Sequence, residues 1–182
     1  MSAAERNNGV SFEVKVERWL RRSRGARFTE RRARQKGQIA RRGHECDVHA
    51  TMVSGLWPLT AVCAAFCGLA CILIGVSGAE AMIAFLPGFL GVVCVVLTAA
   101  FFLDPRHVWV EVKSGETPIK RDVVWKLVGQ VSDVRGLTAA PWYPSEAWLV
   151  SRSYFDIDAL AFARAHGVRC FIEQGGDIRE VV

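Results

Sequence analysis

The chain has 182 residues, 51% of them apolar, with 23 Lys/Arg against 18 Asp/Glu, a length that suits one domain of ordinary size. Of its six cysteines, Cys63, Cys67, Cys71 and Cys94 lie inside apolar runs, which excludes a disulfide framework and fits a reducing compartment. Charge is uneven: residues 1–55 carry 13 Lys/Arg against 6 Asp/Glu, residues 56–103 hold only Glu80, and residues 104–182 carry 10 against 11. The basic excess points to a polyanion such as nucleic acid, or to the cytoplasmic face of a membrane.

The polar start, MSAAERNNG, is no secretory signal. Residues 10–24 read as a helix, with Phe12, Val16, Trp19 and Leu20 on one stripe and Asn7, Asn8 and Gly9 as capping material. Glu13 and Glu17 fall on an adjoining face. The run RGARFTERRARQKGQIARR follows, in which Arg27-Phe28-Thr29-Glu30 opens a strand and Gly37 and Gly43 mark turns. It reads either as a solvated or juxtamembrane patch or as a phosphate-contacting surface. In the second reading the contacts are Arg31, Arg32, Arg34, Lys36, Arg41 and Arg42, with Lys120 further along. A strand at His44–Thr51 alternates, with Glu45, Asp47 and His49 on one face and Cys46, Val48 and Ala50 on the other. Zinc ligation by His44, Cys46 and His49 is disfavoured, because Cys46 points away from His49 and no second ligand pair lies nearby.

Leu56–Val76 and Ala81–Leu103 are uncharged runs of 21 and 23 residues, separated by the turn Ser77-Gly78-Ala79-Glu80. At ~1.5 Å per residue each would span the hydrocarbon of a bilayer as a helix, and together they read as a transmembrane hairpin. Pro87-Gly88 is tolerable in such a helix, Trp57 and Arg106/His107 suit its interfaces, and Cys63/Cys67/Cys71 form a small-residue packing face. A hairpin returns the chain to the side it left. The arginine bias then places both termini in the cytoplasm, with the protein multi-pass in the cytoplasmic membrane.

The strand His107–Lys113 puts Val108, Val110 and Val112 on one face and His107, Trp109, Glu111 and Lys113 on the other. Glu111 and Lys113 thus sit side by side: an oxygen ligand for a hard divalent ion, and a cation beside an attacking water. After the turn Ser114–Pro118, a helix runs to about Arg135 with Ile119, Val123, Leu127, Val131 and Val134 inside, and Gln130 on its polar side. Strand Ala147–Val150, helix Asp156–His166, strand Val168–Ile172 and a Gly175-Gly176 turn complete an α/β pattern with a mixed sheet.

Four pieces of this pattern resemble the PD-(D/E)xK, restriction-endonuclease-like superfamily, nearest its Mrr-like branch. They are Gly9-x-x-Phe12-Glu13 opening the first helix, Cys46-Asp47, Glu111-Val112-Lys113, and the strand–helix–strand from Trp148-Leu149-Val150-Ser151 through Phe171-Ile172. The resemblance implies an αβββαβ core with a mixed sheet, built from residues 1–55 and 104–182 and interrupted by the transmembrane hairpin at 56–103. It implies Mg²⁺, or Mn²⁺ in its place, held by Asp47, Glu111 and the main-chain carbonyl of Val112, with Glu13 completing the shell. Lys113 would orient or help deprotonate the attacking water. Two departures stand out: Cys46 where proline is common, and 63 residues between Asp47 and Glu111.

The expected function is a membrane-anchored, Mg²⁺-dependent endonuclease acting on double-stranded DNA at the cytoplasmic face, with a dimer for double-strand cleavage. One alternative is an inactive nuclease-like protein that tethers nucleic acid to the membrane. Another is an adaptor whose basic segment meets anionic lipid.

Overall fold

A computed structural model describes residues 3–39, 43–52, 57–76, 81–103, 105–137 and 142–181. The chain divides into two compact units, Met1–Met52 with Arg106–Val182, and Val53–Pro105.

The first unit is α/β. Its strands β1 (Ala26–Gln35), β2 (His44–Met52), β3 (Arg106–Lys113), β4 (Pro144–Ser151), β5 (Val168–Gln174) and β6 (Asp177–Glu180) form one sheet in sequence order. β1, β2 and β3 pair antiparallel, β3, β4 and β5 pair parallel, and β6 returns antiparallel on β5. The sheet is mixed, as expected. The arginine run is mostly strand: β1 extends ten residues and forms a sheet edge whose charges discourage further pairing. Strand β6 was not foreseen. Gly175 and Gly176, at φ 57° and 96°, make the left-handed turn that sends the chain back along β5.

Both sheet faces are covered. Helix α1 (Ala3–Ser23) lays Phe12, Val16 and Leu20 on Val108, Val110, Val112, Trp148 and Phe171. On the other face, the helices Arg121–Arg135 and Ile157–Ala165 bury Val124, Leu127, Val131, Val134, Ala159 and Ala163 against Trp109, Leu149 and Cys170. Trp109, expected on a polar face with Glu111, is fully buried. In a sheet with helices on both sides a central strand needs apolar side chains in both directions, and β3 is buried through Val108, Trp109 and Val110 and polar at its two ends.

The second unit contains two helices, Trp57–Val76 and Ala81–Leu103. They pack through small residues: a Cβ at Gly91 would lie 3.2 Å from the Cys67 Cβ, and Thr98 Oγ1 donates to Thr60 Oγ1 at 2.7 Å. The expected turn Ser77–Glu80 lies outside the described residues, as does Leu56. The transmembrane assignment is corrected: among the described residues, no helix is long and apolar enough to cross a membrane. The multi-pass location in the cytoplasmic membrane falls with it.

Met52 and Arg106 are paired across β2 and β3. Replacing residues 53–105 by Asn-Gly should therefore close a two-residue hairpin and leave the first unit folded. Far-ultraviolet circular dichroism and a cooperative thermal transition check this; a chain without such a transition would show that the helical unit is required for folding.

Candidate functional site

The β2–β3 ladder ends at Val48↔Val110. Continued in register it would place Cys46 opposite Val112. Instead the Asp47 carboxylate takes the Val112 N–H, with Oδ2 at 2.7 Å, and the Cys46 thiol points to the Val110 carbonyl at 3.7 Å. A residue in a strand directs its own N–H and C=O to the same side, so the Val112 carbonyl also faces this gap. On the other edge, the Lys113 carbonyl accepts the N–H of Arg152, just beyond β4, at 3.1 Å.

The gap follows from a break in strand phase. Thr29 of β1 bonds to Glu17 and Arg21 of α1, yet Ala33, four residues on, packs in the cluster on the opposite face. On β2, Val48 and Ala50 lie in the α1-side cluster and Cys46 lies in the other. The expected alternation of β2 is therefore corrected: Cys46 does not share a face with Val48 and Ala50. The break falls between Arg31↔Val48 and Ala33↔Cys46, where Arg32 has φ 55°. Among the described residues Arg32 is the sole non-glycine with positive φ, a conformation costing about 1–3 kcal/mol.

Lys113 Nζ donates to Glu111 Oε1 at 2.6 Å, both projecting from the last turn of pleat in β3. Burial first, and then the nearby Glu111, pushes the Asp47 carboxyl up to about 7; the Val112 N–H and Lys113 oppose the rise, and Glu13 adds to it. Glu111, Lys113 and Glu13 thus each act electrostatically on Asp47. Burial also raises the Cys46 thiol well above its ordinary value, so it is an inert neighbour rather than a nucleophile.

The arginine candidates divide. Arg31 pairs with Glu17 at 3.3 Å, Arg34 with Glu45 at 3.1 Å, and Arg32 approaches Glu13 at 3.6 Å. Lys36 and Lys120 are exposed, while Arg41 and Arg42 lie outside the described residues. Gln130 is half-buried, and its Oε1 has no hydrogen-bond partner among the described residues. Arg152 escaped the sequence reading. Its backbone joins it to Lys113, its guanidinium lies 4.6 Å from the Phe12 ring, and Glu173 holds it at 3.1 Å. Only the parallel β3–β4 pairing reveals that proximity. The zinc candidates are dispersed: His44 pairs with Asp133 at 2.7 Å, and His49 stacks on Trp142 and contacts His107 at 3.0 Å.

Among the described residues no three His, Cys, Asp or Glu side chains form a metal-binding group. The donor chemistry at the gap nevertheless suits a hard divalent ion, because Mg²⁺ is commonly held by only one or two carboxylates and completes its shell with water and phosphate. Asp47 and Glu111 would supply the carboxylates and Val112 its carbonyl. No family model, no curated protein and no solved structure matches this chain.

Asp47 carries a pH signature. Its folded-state value lies above the ordinary carboxyl value of 3.8, so the folded chain binds this proton more tightly than the unfolded chain. Its ionisation costs nothing below about pH 4, and the cost grows until about pH 7. Asp47→Asn keeps an acceptor for the Val112 N–H and should gain about 1–3 kcal/mol of stability near pH 8, with little gain near pH 4. Urea unfolding at the two pH values measures this. An equal effect at both would mean that the fold does not penalise ionisation of Asp47.

Proposed function

We propose that this chain is a metal-dependent phosphodiester hydrolase acting on DNA. The reading is carried by one observation: Asp47 is held on the Val112 N–H beside the Glu111–Lys113 pair, so that two carboxylates, a carbonyl edge and an ammonium group meet where the sheet opens. Mg²⁺, when bound, supplies Lewis-acid polarisation of the phosphate and a more acidic water. Asp47, Glu111 and the Val112 carbonyl hold it. Glu111 also fixes the Lys113 ammonium, which orients the water and meets the charge that gathers on the phosphate oxygens as a P–O bond forms to water and the bond to the leaving sugar oxygen breaks. The basic edge strand β1 supplies backbone contacts that position DNA without reading its sequence.

A second reading, DNA binding without cutting, is favoured by the exposed arginines of β1, whose contact with phosphates needs no metal. Plasmid cleavage separates the two. Purified chain with Mg²⁺ should nick or linearise supercoiled plasmid, EDTA should stop it, and Lys113→Ala should slow it by about 10²-fold or more. The ratio of nicked to linear product reports whether two sites act together. Binding without cleavage in Mg²⁺ and Mn²⁺ would remove the hydrolase reading and leave the binding one.

A further inference from the structure

Successive residues of a strand point to opposite faces, yet Arg31 and Arg32 both reach carboxylates of α1, Glu17 and Glu13 respectively. The left-handed backbone at Arg32 makes this possible, at the β1 position flanking Asp47 on β2. A regular strand would have sent the Arg32 guanidinium to the other face. Strain at this one position therefore brings a cation to Glu13, a carboxylate of α1 that bears electrostatically on Asp47.

The pairing is loose. At 3.6 Å it is an ion pair without a hydrogen bond, and the Arg32 side chain is 58% exposed against 14% for Glu13. A planar guanidinium exposed at the rim of an acidic site matches a phosphate oxygen pair better than it matches the single carboxylate oxygen it now approaches.

We infer that Arg32 is the phosphate clamp of this site and holds Glu13 in reserve. A phosphodiester drawing the guanidinium to itself releases Glu13 toward Asp47 and Glu111, so that the oxygen donors are complete only when substrate is present. The inference rests on the hydrolase reading for its substrate class. Arg32 would be a residue that contacts the substrate, and Glu13 a donor that it controls. A purely structural Arg32, serving only to tie β1 to α1, predicts none of the metal behaviour below.

The experiment uses the full chain with Arg32→Gly, which adopts the same φ without steric cost, and Arg32→Lys, which keeps the charge but not the fork. Thermal unfolding, calorimetric titration with Mg²⁺ in the absence of DNA, and binding of a short DNA duplex in EDTA are measured for each. Arg32→Gly should unfold no lower than the wild type, bind Mg²⁺ about five- to tenfold more tightly because Glu13 is released, and bind duplex about tenfold more weakly. Arg32→Lys should fall between them for the duplex. In a Glu13→Gln background, Arg32→Gly should bring no gain in Mg²⁺ affinity. Unchanged or weaker Mg²⁺ binding by Arg32→Gly, unchanged duplex binding, or a gain that persists in the Glu13→Gln background would each overturn the inference. None of these readouts requires cleavage. A wild-type chain that shows them but never cuts plasmid would fail the hydrolase reading while leaving the clamp in place.

Discussion

The hydrogen bond from the Val112 N–H to the Asp47 carboxylate is the contact on which the candidate site depends. A β-ladder that simply continued would have used that N–H for a backbone carbonyl and left no room between β2 and β3. By substituting a side-chain acceptor, the chain satisfies the donor and still opens the sheet. The cost is a carboxylate taken from water and set beside another, and both effects displace the Asp47 ionisation upward, to about 7. Half-buried carboxylates of this kind are tolerated where a cation or a substrate relieves them.

The remainder of the first unit makes the opening rigid. Apolar residues cover β3 and β4 on both faces, so the carboxyl ends of these strands are anchored by Trp109, Trp148 and Leu149, each essentially inaccessible to solvent. Polar groups then emerge together where the strands end: Glu111 and Lys113 from β3, and Arg152 just beyond β4. This is the usual place for ligands in open α/β sheets, because parallel strands deliver their termini to the same edge. Helix α1 closes the site from one side, and the same stripe of Phe12, Val16 and Leu20 that anchors it also directs Glu13 toward the arginines of β1.

Much of the architecture was legible in the chain. Period-two runs at 107–113 and 44–51 and the helical stripe at Phe12, Val16 and Leu20 lie where the strands and α1 form. Glu111 and Lys113 share a strand face because two residues separate equivalent positions in a pleat. The arginine run was less legible, since its hydrophobic signal is almost absent and β1 is stabilised by edge pairing with β2 and by ion pairs to α1. The apolar middle read as a membrane span by composition, an assignment that the described helices do not support.

By itself the sequence determined the alternation of α and β elements, the apolar stripes that decide which faces are buried, and the adjacency of Glu111 and Lys113, because these depend on local periodicity alone. Tertiary structure decided the rest. It reversed the phase of β1 and β2 at Arg32 and Asp47, turned Asp47 onto Val112, set Arg152 beside Lys113, and aligned Glu13 with Arg32. Each of these joins residues far apart in the chain or rests on one backbone angle outside the regular strand. A period-two pattern cannot report a break in its own period, since the break is stabilised by contacts with elements that the local sequence does not contain.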